Sequence, residues 1–161
     1  MDKLWAPWRI GYITGEKKEG CFLCEAWQNS QNEKNYVTFT TSLSFAILNT
    51  FPYNNGHMMA VPKRHVSSIE DLNDEEMLDL MKTVKKAIFV LRKVINPQGF
   101  NVGINMGKAA GAGIEEHLHI HIVPRWVGDT NFMPTCSSTK VISQSLQELY
   151  TQIKKWLPEK K

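Results

Sequence analysis

Five histidines fall into two short stretches: His57 and His65 in one, His117, His119 and His121 in the other. In His117-Leu118-His119-Ile120-His121-Ile122-Val123 the period is two. On a strand the three imidazoles would leave one face at intervals of about 6.5–7 Å. Leu118, Ile120 and Ile122 would leave the other face and enter a core, with Pro124 closing the strand. Three like titratable groups add little as surface packing, where Thr, Lys or Glu serve as well. Metal ligation and nucleophilic or phosphate-binding work remain. One strand cannot easily wrap three same-face side chains round one ion at about 2 Å. The spacing suits separate tasks along an extended anion such as a polyphosphate. Neutral imidazole attacks phosphorus well, and an ordinary pKa near about 6.5 leaves it mostly neutral at neutral pH.

Gly107-Lys108-Ala109-Ala110-Gly111-Ala112-Gly113 precedes the cluster. Glycines permit tight turns whose backbone N–H groups cradle anions. Cys21-Phe22-Leu23-Cys24 reads as a redox pair, half of a metal site, or two buried thiols. A redox pair belongs where a strand meets a helix in a thioredoxin-like pattern, which is absent. A zinc ion needs four ligands, and His65 with one histidine of the cluster could complete the set. Cys136 stands alone and reads as an ordinary small residue.

The elements that must hold these groups are legible in outline. Tyr36–Thr40 alternates and is rich in strand formers. Phe45–Leu48 and His57–Pro62 form a hairpin-like pair round the turn Phe51–Gly56. Asp74–Ile95 is the strongest helix: Asn73 caps it, Glu76 completes a capping box, Leu72 and Met77 are spaced as a staple. Its apolar face is Met77, Met81, Val84, Ile88, Leu91 and Ile95, with methionine as core filler, and Asn96-Pro97 stops it. Gly99–Asn105 alternates, Phe100, Val102 and Ile104 facing one way. A last helix, about Ser143–Leu157, carries Leu146, Leu149, Tyr150, Ile153 and Trp156 on one face. Strands, one long helix, strands and a C-terminal helix make an α+β domain with an antiparallel sheet.

The 161 residues fit one domain, 1–161, with an irregular arm over 1–20 pinned by Trp5 and Trp8, and a C-terminal helix and tail over 135–161. Apolar runs are too short to cross a bilayer, and the first residues lack the pattern of an export signal. Three cysteines without such a signal point to a reducing cytoplasm. A net charge of +3 is too mild for a duplex-binding stripe but suits a small anionic substrate.

The segment His117–Val123 resembles the motif of the histidine triad (HIT) superfamily of nucleotide hydrolases and transferases. Leu48–Pro62 is similar to that family's nucleoside-binding strand pair, and Gly99–Gly107 to the strand and turn before its loop. Trp5-Ala6-Pro7-Trp8-Arg9 and Pro124–Pro134 resemble the bacterial diadenosine tetraphosphate phosphorylase branch; a Fhit-like branch is the neighbouring comparison. The resemblance implies a HIT-like fold, a homodimer formed through the long helix and a sheet edge, and cleavage of diadenosine polyphosphates at the α-phosphorus. His119 would be the nucleophile and His121 the group that steadies phosphate charge. Asn49, His57, Asn105, Lys108, Gly111, Ala112 and Gly113 would line the substrate, with Asn49 on the ribose hydroxyls. The loop departs from other branches, which carry Gln, Ser or Thr there, so hydrolysis and phosphorolysis both stay open. The resemblance further implies a structural zinc on Cys21, Cys24, His65 and His117. Nucleoside phosphoramidates or acyl adenylates are the alternative substrates, and a nucleotide-binding module without turnover the alternative class.

Overall fold

The computed structural model describes residues 20–130, 136 and 140–157. The Trp5–Trp8 arm and most of the stretch from Asn131 to Thr139 lie outside the described residues. Helix α1 (Phe22–Gln28) is followed by strands β1 (Val37–Thr40), β2 (Ser44–Leu48) and β3 (Met58–Pro62). Helix α2 (Asp74–Ile95), strands β4 (Gly99–Ile104) and β5 (Ile120–Arg125), and helix α3 (Leu146–Trp156) complete the order. The strands form one five-stranded sheet, β1-β2-β3-β5-β4, antiparallel throughout.

Strands β2 and β3 are buried along their whole length because both faces of the sheet are covered. On one face α2 and α3 pack over Ala46, Leu48, Met58, Ala60, Ile120 and Ile122. On the other, Leu23 and Ala26 of α1 pack over Phe45, Ile47, Met59 and Val61. Two-sided burial explains why these strands read as short continuous apolar runs. The β2–β3 turn ends at Gly56, whose φ is +76°. A Cβ there would sit 2.5 Å from Ile95 Cδ1 and would carry the strain of a left-handed φ, so glycine is the residue that fits best.

Helix α2 has the expected bounds and cap: Asn73 accepts from the Glu76 N–H at 2.9 Å, and Glu76 accepts from the Asn73 N–H at 3.0 Å. Its buried face is rotated from the expected one. Leu80, Thr83, Val84, Ala87, Val90 and Leu91 are buried, while Met81 is 49% exposed and is not core filler. The rotation brings polar groups inward with partners: Glu76 ion-pairs with Arg64 at 2.7 Å, and Asp79 and Thr83 bond the Thr41 hydroxyl.

Three other expectations shift. Tyr36 adopts a left-handed φ of 55° after a short turn, so β1 starts at Val37. Val102 shares a face with Phe100 and Ile104, but unlike them it is exposed, on the edge strand β4. Pro124 does not close β5 but lies within it, opposite Phe100. The β3 pairing has ended by Ile122, and the Pro124 carbonyl turns to the Asn54 amide at 3.0 Å. A proline is tolerated there because its missing N–H would face no strand. Helix α3 starts at Leu146 under a Ser145 cap and buries Leu149, Tyr150 and Ile153, with Trp156 partly exposed. A cavity of about 400 Å³ between Tyr36, Pro52 and the start of α3 touches none of the histidines.

Candidate active site

The three clustered histidines enter β5 rather than sit wholly within it: His117 and His119 precede the first strand residue, Ile120. All three are buried, and Leu118, Ile120 and Ile122 face the α2 side of the core as the alternation requires. Each imidazole meets a different partner, and the partners fix its tautomer.

His117 Nε2 lies 2.8 Å from the Pro62 carbonyl, which can only accept, so Nε2 carries the proton. Its Nδ1 lone pair then faces sulfur, 3.2 Å from Cys21 Sγ and 3.5 Å from Cys24 Sγ. His65 Nδ1 stands 3.3 Å from Cys24 Sγ. The four ligand atoms all lie within 4.8 Å of one another. Tetrahedral zinc with bonds of about 2.0–2.3 Å needs ligand atoms about 3.3–3.8 Å apart. The donor set therefore fits a metal, and the Pro62 carbonyl is the outer partner that orients a ligating histidine. Burial, then the neighbouring Cys21, pushes the Cys24 thiol up to about 11. Burial also lowers the His117 pKa, which keeps its lone pair available.

His119 Nδ1 donates to the His117 carbonyl at 2.9 Å, which in the neutral ring leaves the lone pair on Nε2. Among the described residues the only buried side-chain polar atom without a partner is Ser44 Oγ, so Nε2 is not sealed in the core. Asn105 follows directly on Ile104, which pairs with Ile120, the residue after His119.

His57 Nδ1 accepts the Tyr53 N–H at 3.1 Å, so neutral His57 carries its proton on Nε2. That proton meets His121 Nδ1 at 2.9 Å. His121, receiving at Nδ1, carries its own proton on Nε2, a donor for an anionic oxygen. Burial, then the charges of His121 and His119, lower the His57 pKa to about 3; burial, then His119, lower that of His121 to about 4. Both stay neutral at neutral pH, and the relay of lone pairs is intact. His57 is 1% exposed and lies behind His121, so it reaches a substrate through that ring.

Asn49 is half-buried; its Oδ1 accepts the Phe51 N–H at 2.8 Å and its Nδ2 lies 3.4 Å from His57 Nδ1. One lone pair and one N–H remain for a diol. The glycine turn is narrower as a cradle than its sequence suggests. Gly111 and Ala112 spend their N–H groups on the carbonyls of Lys108 and Gly107, at 3.0 and 3.4 Å. Lys108 is exposed at the start of the turn, and Gly113 lies where the turn leads back toward His117. Sequence reasoning passed over Tyr53, which packs on His57 and His121. It sits in an aperiodic turn, where no pattern signals a role.

The HIT domain matches residues 30–127. The chain belongs to the HIT domain family. Among curated HIT relatives, the AP-4-A phosphorylase of Mycobacterium tuberculosis is 41% identical over 156 residues, covering 92% of this chain and 80% of that one. The bis(5'-adenosyl)-triphosphatase of Dictyostelium discoideum is 40% identical over 99 residues, covering 62% of this chain and 64% of that one. A solved HIT structure, the hypothetical histidine triad nucleotide-binding protein ST2152 from Sulfolobus tokodaii, superposes with a TM-score of 0.68 at 25% identity, covering 84% of this chain and 90% of that one. The five-stranded antiparallel sheet and flanking helices are thus a HIT fold.

Proposed function

We propose that this HIT protein is an enzyme that cleaves diadenosine polyphosphates, diadenosine tetraphosphate foremost, at the α-phosphorus. One observation carries the reading: His119 is held by Nδ1 on the His117 carbonyl, which orients the ring and, in its neutral form, puts the lone pair on Nε2. In the first step Nε2 bonds to phosphorus, and the bond from phosphorus to the bridging oxygen breaks with its electron pair. The remaining polyphosphate leaves. In the second step water or inorganic phosphate attacks the same phosphorus and the N–P bond breaks, restoring the imidazole. His121 Nε2–H donates to non-bridging oxygens as their charge grows, backed by His57. Asn105, Lys108 and the Gly113 end of the turn meet the leaving polyphosphate, and Asn49 meets the ribose.

Phosphorolysis is favoured over hydrolysis, on the likeness to the mycobacterial AP-4-A phosphorylase over most of both chains. Cys21, Cys24, His65 and His117 would hold zinc, a soft, closed donor set of the structural kind. Zinc there supplies cross-linking, tying α1 to the segment that carries His119. The chain is read as one HIT domain working in a reducing cytoplasm as a homodimer, with the exposed β4 edge and α2 as its contact; no helix among the described residues is long and apolar enough to cross a membrane.

The deciding experiment offers diadenosine tetraphosphate with and without inorganic phosphate and identifies products by mass. ADP with ATP, formed only when phosphate is present, supports phosphorolysis. AMP with ATP regardless of phosphate means hydrolysis, and no product in either arm removes the enzymatic reading.

A further inference from the structure

Tyr53 has no task in the reaction above, yet it stands against the reacting rings. Its ring centroid is 4.5 Å from that of His57 and 5.5 Å from that of His121. Those two rings are 1% and 9% exposed, while Tyr53 is 56% exposed. One side of the tyrosine is thus packed on the phosphate-binding relay and much of the rest is bare. Its hydroxyl bonds nothing among the described residues. Scattered exposed aromatics are common and need no explanation. This one differs because its loop is locked. The Tyr53 N–H is spent on His57, and the next residue, Asn54, is 6% exposed and donates to the Pro124 carbonyl at 3.0 Å and Asp129 Oδ2 at 2.8 Å. Gly56 closes the loop against Ile95 and Leu91. Asp129 is itself clamped by Arg125 at 2.6 Å, which holds its carboxyl well below the usual carboxylate range. The ring is therefore presented at fixed position.

The layout along β5 says what meets it. Asn105 follows Ile104, the partner of Ile120, and so lies toward the His119 end, which the proposed reaction gives to the leaving polyphosphate. Asn49 and Tyr53 lie at the other end, and both bond His57. The nucleoside that stays on His119 must extend toward this second end. We propose that Tyr53 is a specificity-determining residue: its ring is the wall on which the planar base of the retained nucleoside stacks. This inference rests on the nucleotidyl-transfer reading of the site. A rigid aromatic with two side-chain torsions suits the task, since little freedom is lost on binding. Stacking between a base and an aromatic side chain supports an affinity change of about ten- to a hundredfold.

The test compares AMP and ribose 5-phosphate binding by calorimetry for the wild-type chain, Tyr53→Ala, Tyr53→Leu and Tyr53→Phe, each checked for an unchanged melting transition. AMP affinity should fall about ten- to a hundredfold in Tyr53→Ala and stay within about threefold in Tyr53→Phe. Ribose 5-phosphate, which lacks the base, should bind all variants alike. Unchanged AMP affinity in Tyr53→Ala overturns the inference. An equal loss for ribose 5-phosphate also overturns it, because the tyrosine would then act through the phosphate relay. Should Tyr53→Ala melt early, Tyr53→Leu keeps the bulk without the π face and carries the same expectation. A wild-type chain that binds AMP and transfers no nucleotide would sink the catalytic reading alone. One that binds neither ligand sinks both.

Discussion

Two ends of one seven-residue stretch do unlike work with the same side chain. At the His117 end an imidazole gives its Nε2 proton to a backbone carbonyl and turns Nδ1 to two thiols. At the His121 end an imidazole receives a proton at Nδ1 from His57 and turns Nε2–H outward. His119 between them has the opposite tautomer to both, held by the carbonyl of His117. The difference is not in burial, for all three rings are nearly covered. It lies in which nitrogen a neighbour claims. A histidine is readied as ligand, nucleophile or donor by the partner behind it, and those partners are two backbone carbonyls (Pro62 and His117) and His57 at the entry to β3.

That contrast can be broken from either end. His119→Asn removes the lone pair common to both steps; turnover should fall about a thousandfold or more, with nucleotide affinity kept within about tenfold. Product assays and calorimetry on the same preparation check both halves. His57→Phe deprives His121 of its donor and should lower kcat about ten- to a hundredfold, as loss of an orienting partner does. Metal content should not change, and a variant short of metal would refute the separation of the two ends. Cys24→Ser tests the other end: metal analysis should give about one zinc per wild-type chain and much less in the variant, with a lower melting temperature. Wild-type protein that is folded, active and free of metal would overturn the zinc assignment.

The pH response sharpens the same contrast. His57 and His121 have folded pKa values of about 3 and about 4, below the ordinary 6.5. Well above pH 6.5 both are neutral in folded and unfolded chains, and the relay is at full strength. As pH falls from 6.5 toward 3 the unfolded chain binds protons that the folded chain refuses, so stability drops through that window. Melting curves from pH 7 to 4 should show the decline, and His57→Phe should make it shallower. The smallest effect is expected at Gly56→Ala, where the new Cβ meets Ile95 at a left-handed φ. A loss of about 1–3 kcal/mol in chemical denaturation is the expected result.

Much of this was open to a reader of residues alone. The alternation through Ile122, the Asn73–Glu76 capping box and the short strand at Phe45–Leu48 depend on neighbours in sequence, and each recurs in the fold. The four candidate metal ligands were named through the family resemblance, and the fold brings them together. What stayed hidden depends on contacts across the chain. The rotation of the α2 face follows from Arg64 and Thr41 drawing Glu76, Asp79 and Thr83 inward, which no helical period records. Pro124 looked like a terminator because its tolerance rests on β3 ending two residues earlier in register. Tyr53 and the inward-turned amides of Gly111 and Ala112 belong to aperiodic turns.

Strand β5 lies between β3 and β4, so its register is dictated from both sides. A slip of one residue would send Leu118, Ile120 and Ile122 to the reaction side and drive the imidazoles into the oily layer under α2. Correct pairing and chemical competence are therefore one event in folding. A substitution that shifts the alignment of this strand disturbs the core and the row of imidazoles together.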